Sequence, residues 1–433
     1  MAKIISFKQG LLSVLFWSII SAAFIGPGTV TTAAKAGATF QLQLLWALLF
    51  STLATIVLQE AAARITIASG QSLGQIIARK YGGRSGLRYL VFLAVAFGCA
   101  AYQAGNMLGA VSGLMLLGAI PVELITLLLG LVCATLLWWG NYRLIAGLLG
   151  MVVALMGMAF IVVALRSDVA LGEVVRAAVI PSLPSGSSLL LIGLIGTTIV
   201  PYNLFLASGI SKGQDMREMR IGISLAVGIG GLISIAILVV GTQISGGFSF
   251  EALAAAMGER LGIWATLLFS FGLFAAGLTS SITSPLAAAI TAQSLFAEDG
   301  DWGNRSRNFR LVWGIILTIG LLFGLTNFKP VPVIILAQAI NGILLPVVTI
   351  FLLLAVNDRA ILPERFCNGH LANAAMLLIV GLSCFLGFNN LGKALFKSLP
   401  ILNPGDSLTW TINAVWSGII VLILARKVML RSA

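Results

Sequence analysis

A chain of 433 residues in which 59% are hydrophobic and only 9% charged cannot cover itself with a water-soluble surface. Its mean hydropathy of +1.05 places it among polytopic membrane proteins and excludes a soluble enzyme or regulatory domain. The formal net charge of +12 would suit a nucleic-acid binder, but the distribution of the basic residues argues against one.

About twelve apolar spans follow one another, at roughly 11–36, 41–69, 88–117, 121–140, 143–165, 188–211, 220–245, 261–296, 308–327, 330–356, 370–390 and 408–428. Met1 to Gly10 is weakly basic, yet the apolar stretch behind it is of spanning length, so no cleavable leader is expected. Of the 26 Lys and Arg, eighteen fall in the N-terminal segment and every second connection from it. Seven fall in the other set, and Arg64 lies within a span. That bias predicts a multi-pass plasma-membrane protein, of the bacterial inner-membrane kind, with both termini in the cytoplasm. The basic charge is then orientation, and no nucleic-acid partner is expected.

Two spans are interrupted by proline: the first at Gly26-Pro27-Gly28-Thr29, the sixth at Thr197-Thr198-Ile199-Val200-Pro201-Tyr202-Asn203. Proline removes a backbone hydrogen bond and crowds the preceding turn. Broken backbone survives in hydrocarbon mainly where it lines a cavity. Five spans apart, the two broken spans run antiparallel, which is what an inverted five-plus-five repeat demands. Small residues follow each break, Ala33-Ala34-Lys35-Ala36-Gly37 and Ala207-Ser208-Gly209. The expected fold is an all-α, LeuT-type membrane domain over 1–433. Its first repeat runs over 11–165 and its inverted repeat over 188–356, with peripheral helices over 357–433. The connections 166–187 and 297–307 are too short to be soluble domains.

Inside the spans, the acidic exception is Glu60, four residues before Arg64 on one helix face. The pair is read as a structural or gating ion pair. Gln103 and Asn106 share a face of the third span, beside Tyr102, and Gln338 and Asn341 share a face of the tenth. The eighth span carries Thr279, Ser280, Ser281, Thr283 and Ser284 before Pro285. Such neutral groups serve either as interhelical hydrogen bonds or as a solute path. His370 starts the eleventh span, at the interface. Cys99, Cys133 and Cys384 lie in spans and Cys367 in a connection, with no CxxC pair, so they read as inert thiols. Nothing in the spans makes a catalytic constellation or a transition-metal cage, and neither enzyme activity nor a cofactor is expected.

With these residues in view, the chain resembles the NRAMP divalent-metal transporters over roughly 10–390. The resemblance rests on Gly26-Pro27-Gly28-Thr29 with Ala36-Gly37-Ala38, Leu44-Leu45-Trp46, and Leu58-Gln59-Glu60-Ala61-Ala62-Ala63-Arg64. Pro201-Tyr202-Asn203-Leu204-Phe205-Leu206 and Ser280-Ser281-Ile282-Thr283 complete it. It implies a LeuT-type transporter, with substrate bound between the two breaks. The family's first break reads Asp-Pro-Gly-Asn, whose polar ends hold metal; here they are Gly26 and Thr29. Its Met-Pro-His of the sixth span is Val200-Pro201-Tyr202 here. The acidic residues of its third span, which resemble a proton route, align with Gln103 and Asn106. Gln338 matches a tenth-span glutamine of the family's site, and Asn341-Gly342 with Leu344-Leu345-Pro346 resembles the magnesium-selective relatives.

Those departures leave only neutral oxygens, and a dehydrated divalent ion in a low-dielectric site calls for anionic ligands. The expected substrate-binding residues are Gly26, Thr29, Thr197, Val200, Tyr202, Gln338 and Asn341, with Gln103 and Asn106 along the path. Such a shell suits a largely hydrated Mg²⁺, moved by alternating access without proton coupling. It suits equally a small organic or zwitterionic solute, whose carboxylate would face the helix start near Thr29. Ser280, Ser281 and Thr283 would then line a Na⁺ site. A non-transporting sensor on this scaffold would be expected to carry an output domain, and none is read here. The protein is expected to act as a monomer.

Overall fold

The computed structural model describes residues 25–81, 86–118, 120–140, 143–297, 302–326, 328–398 and 406–432. The first part of the first span, before residue 25, lies outside the described residues. Among these residues the chain is helical, with eleven stretches long and apolar enough to cross a membrane; one of them, Pro27–Ser69, joins the end of the first span to the whole of the second.

The first repeat contributes α1 (Pro27–Phe40), a 3-10 turn (Gln41–Leu44), α2 (Leu45–Ser69), α3 (Leu73–Tyr81), α4 (Leu87–Met115), α5 (Val122–Trp139) and α6 (Arg143–Leu165). A short α7 (Leu171–Val179) leads to the second repeat: α8 (Ser188–Thr198), α9 (Pro201–Ile210), α10 (Met216–Gly241), α11 (Phe250–Leu261), α12 (Ile263–Phe296), α13 (Arg307–Gly324) and α14 (Pro330–Val356). Two further helices follow, α15 (His370–Ser398) and α16 (Asp406–Ser432). The described spans match the expected ones to within a few residues, except that α15 runs to Ser398. Three helices, α3, α7 and α11, occupy stretches read from the sequence as plain connections.

Both prolines of the breaks stand at the first position of a helix, Pro27 opening α1 and Pro201 opening α9. There the missing N–H has no helical partner to lose and the fixed φ suits the turn. The sixth span is therefore cut into α8 and α9 rather than kinked, with Val200 extended between them (φ −91°, ψ 118°).

The packing obeys the inverted symmetry. α1, of the first span, lies on α10, of the seventh; exchanging each span for the one five later turns that pair into α9 on α2, which is also present. Likewise α4 on α14 becomes α12 on α6, and the central α4–α12 contact maps onto itself. Close approach is built on small residues: a Cβ on Gly37 would strike the Leu238 carbonyl, and one on Gly241 the Ala34 carbonyl. In the related position Ser208 of α9 shares a hydrogen bond with Thr66 of α2 at 2.7 Å.

Candidate functional site

The two breaks face each other. Gly26 is extended (φ −106°, ψ 179°) and half-buried, and its carbonyl accepts the first helical bond from Val30 N at 3.2 Å. Thr29 and Thr197 share a hydrogen bond at 3.0 Å between their hydroxyls. Gln338 of α14 presses on the same turn so closely that a Cβ on Gly28 would overlap its carboxamide. α8 meets α14 through glycine: a Cβ on Gly196 would overlap the Gln338 carbonyl.

The last carbonyls of α8, orphaned where the helix stops, are closed by neighbours. Tyr102 donates to Gly196 O at 3.0 Å and Thr55 to Thr198 O at 3.1 Å. The Tyr102 and Tyr202 rings meet edge to face, 5.6 Å between centroids. Val200 is buried, and its carbonyl accepts from Asn203 N at 3.0 Å.

α4 and α12 form the opposite wall. Pro285 has no N–H to give to the Ser281 carbonyl four residues back; Gln103 Nε2 donates to that carbonyl at 3.2 Å. Ser284 donates to Cys99 O at 2.9 Å, and Asn341 Nδ2 to Gly98 O at 3.3 Å and Ala337 O at 3.1 Å. A Cβ built on Gly26 would sit 3.1 Å from Ser280 Oγ and 3.9 Å from Asn106 Oδ1. Gly26, Thr29, Thr197, Tyr202 and Gln338 thus meet at the breaks with Asn106 near Gly26, while Gln103 and Asn341 bond along the α4–α12 and α4–α14 contacts. Val200 contributes through its backbone; its isopropyl group offers no ligand.

The helices that carry these residues hold several unpartnered polar atoms. Gln338 Oε1 and Nε2, Gln103 Oε1, Asn106 Nδ2, Asn341 Oδ1 and Ser281 Oγ are all buried without a hydrogen-bond partner. So are both amide atoms of Asn203 and, one turn below Thr55, Gln59 Oε1. Each buried unsatisfied group costs about 1–3 kcal/mol, and these atoms are the candidates for solvating a bound solute. Asn203 and Gln59 stand outside the residues expected from sequence. The signal available for Asn203 was its place three residues after Val200, on the first turn of the re-entering half-helix. Of the three hydroxyls expected to line a Na⁺ site, Thr283 donates to Ser280 O of its own helix at 3.3 Å, which leaves its oxygen lone pairs available.

The charge available is small. Among the described residues no three His, Cys, Asp or Glu side chains come together. Glu60 and Arg64 form their pair, with Arg64 Nε 3.1 Å from both carboxylate oxygens, but it does not stand alone. Arg220 of α10 reaches Glu60 Oε1 at 2.9 Å, and Arg64 donates to Phe366 O and, at 2.6 Å, to Asn368 Oδ1. Nearby, Lys80 of α3 pairs with Asp358. These contacts bind α2, α10 and the α14–α15 connection at the end of the molecule where α9 finishes.

Two antiparallel half-helix breaks joined across a pseudo-symmetric bundle define a membrane transporter of the LeuT type. The sequence profile of the family described as natural resistance-associated macrophage protein-like matches residues 18–392, and the chain belongs to that family. Its relatives include the divalent metal cation transporter MntH of Acidiphilium cryptum, 25% identical over 395 residues covering 85% of this chain and 88% of that one. The MntH of Deinococcus radiodurans is 27% identical over 366 residues, 79% of this chain and 81% of that one. In fold, a crystal structure of the Eremococcus coleocola manganese transporter superposes with a TM-score of 0.72 at 19% identity, over 98% of this chain and 94% of that one. Mhp1, a nucleobase-cation-symport-1 family transporter in a closed conformation, superposes with a TM-score of 0.53 at 18% identity, over 96% of this chain and 92% of that one.

Proposed function

We propose that this protein moves a divalent cation across the membrane by alternating access, and that the cation is held weakly, as a largely hydrated ion of the Mg²⁺ type. The observation that carries this reading is that the buried, unpartnered oxygens of α4, α12 and α14 are all neutral, with no carboxylate among them: Gln338 Oε1, Asn341 Oδ1, Gln103 Oε1 and Ser281 Oγ. Neutral oxygens can bind the water shell of an ion that sheds water reluctantly. They offer little to a bare ion, and the soft sulfur that favours Mn²⁺-like metals over Mg²⁺ is missing at Val200. Family membership and MntH relatives support a divalent cation as cargo. In this reading coupling does not run through protons, because α4 and α12 carry no His, Asp or Glu.

A second reading has one specific observation in its favour. The N-terminal ends of α1 and α9 both open at the breaks, and their positive dipole ends would stabilise a carboxylate on a small organic or zwitterionic solute. Na⁺ would then be the coupling ion. In either case the basic bias of alternate connections orients both termini to the cytoplasm of a bacterial inner membrane, and one copy suffices for the site.

Isothermal titration of purified protein with Mg²⁺ and Mn²⁺, beside uptake of each into proteoliposomes, tests the choice. Saturable Mg²⁺ uptake with no Mn²⁺ binding is expected. Micromolar Mn²⁺ binding abolished by Gln338→Ala would show that neutral ligands hold a bare metal. Silence with both metals would turn the search to organic solutes and Na⁺.

A further inference from the structure

The helix α7 lies between two membrane spans, and none of its nine residues is buried. At about 100° per residue, its side chains fall into three sectors rather than two. Taking Leu171 as zero, Val174, Ala177 and Ala178 lie at about 300°, 240° and 340°; these pack against the core, on α2 and the 3-10 turn. Gly172, Arg176 and Glu173 lie at about 100°, 140° and 200° and form the polar sector. Between them, at about 0°, 40° and 80°, a stripe of Leu171, Val175 and Val179 stays 73%, 56% and 67% exposed. A helix lying between protein and water alone needs only the first two sectors. A third, apolar one calls for a third medium.

We propose that α7 is an interfacial helix whose Leu171–Val175–Val179 stripe sits in the headgroup–acyl boundary of the bilayer. The leaflet is the one opposite α3, the outer one in the orientation proposed above. The stripe continues a surface that already faces lipid. Leu165, closing the spanning helix α6, is 76% exposed, and Leu189, opening the sixth span, 47%. A second copy is the other conceivable cover, but a stable dimer buries about 600 Å² or more per partner, and three side chains on two turns cannot furnish it. Amphipathic helices with a charged face and an apolar face bind at this depth, and Arg176 beside the stripe is placed for lipid phosphates. The helix is also fastened to the transport machinery: Trp46 Nε1 donates to Ser182 O at 2.9 Å, and Ser182 Oγ to Gln43 O at 2.9 Å. The leaflet thereby anchors the corner where α1 turns into α2.

Spin labels on Val175→Cys and Glu173→Cys, each in a Cys367→Ser background in phosphatidylethanolamine–phosphatidylglycerol proteoliposomes, test this by collision with oxygen and with water-soluble chromium oxalate. The ratio of oxygen to chromium collisions should be several-fold higher at 175 than at 173. Equal access of chromium to both labels would place α7 in water and overturn the proposal. Dipolar broadening at 175 would show a second copy on the stripe and overturn it equally. Val179→Cys, on the same stripe, must repeat the result at 175, so that one perturbed variant cannot decide the matter.

Discussion

Gln103 on α4 donates at 3.2 Å to the carbonyl of Ser281 on α12, the acceptor that Pro285 leaves without a helical donor. A side chain of one repeat thereby repairs a backbone defect in the other, within the wall of the site. Gln103 is a hydrogen-bond bridge by its amide nitrogen and a free acceptor by its oxygen.

The repair can be measured. Gln103→Leu strands the Ser281 carbonyl, and hydrogen bonds between membrane helices contribute about 0.6 kcal/mol on average and up to about 1.7. Pro285→Ala restores an N–H to that carbonyl, so Gln103→Leu should cost less in the Pro285→Ala background than alone. Thermal unfolding of the two single variants and the double variant in detergent gives the coupling. Additive losses would show that the contact carries no stability.

Gly28 and Gln338 make a second pair in which size decides. A Cβ at Gly28 overlaps the Gln338 carboxamide, so Gly28→Ala should displace Gln338 and abolish uptake while the protein still folds. In Gly28→Ala/Gln338→Ala the clash is gone, and stability should recover toward the Gln338→Ala value while uptake stays lost. Recovery of uptake in the double variant would remove Gln338 from the site.

Proline alone did not make the breaks legible, since Pro285 and Pro346 stand inside the unbroken α12 and α14; what did was the pairing of Pro27 and Pro201 in the first and sixth spans, which run antiparallel. The carboxamides Gln103, Asn106, Gln338 and Asn341 were legible as polar atoms at depth; Gln338 and Asn106 lie against the first break, and Gln103 and Asn341 bond along the α4–α12 and α4–α14 contacts. What each is bonded to was not, since the Gln103–Ser281 contact joins residues 178 apart. The helices α3, α7 and α11 escaped because they are at most twelve residues long and amphipathic, too short to register as spans. Asn203 was hidden by its neighbours, since within the apolar run Leu204-Phe205-Leu206 one amide looks like helix glue. Glu60 was read against Arg64 alone, because its second partner Arg220 is 160 residues away.

The Glu60 cluster should behave according to burial. Arg64 is 7% exposed and Arg220 55% exposed. Removing the carboxylate by Glu60→Ala leaves a buried guanidinium with only the neutral acceptors Phe366 O and Asn368 Oδ1, at a cost approaching the ~3–5 kcal/mol of a broken buried pair. Arg220→Ala breaks only an exposed pair, worth about 0–1 kcal/mol. Melting temperatures should therefore fall steeply for the first and little for the second, with Glu60→Ala/Arg64→Ala losing less than the sum of its parts. Equal shifts for Glu60→Ala and Arg220→Ala would mean that the cluster is solvated.

The charge argument for substrate choice is open to direct reversal at Gly26. Its φ of −106° is open to any residue. The polar atoms nearest a Cβ there are the Ser280 hydroxyl, at 3.1 Å, and the Asn106 oxygen, at 3.9 Å. The Ser280 hydroxyl can turn to donate to a carboxylate. Gly26→Asp would thus place one anionic ligand at the turn that carries Thr29 and packs on Gln338, in the place where the family's first break carries aspartate. A full negative charge at low dielectric outweighs any single neutral ligand for a divalent ion. Mn²⁺ affinity by titration calorimetry should rise at least tenfold, about 1.4 kcal/mol, while the Mg²⁺ preference narrows. Unchanged Mn²⁺ affinity in a folded Gly26→Asp protein would mean that the ion does not pass this turn, and that the neutral oxygens round the breaks serve a different cargo.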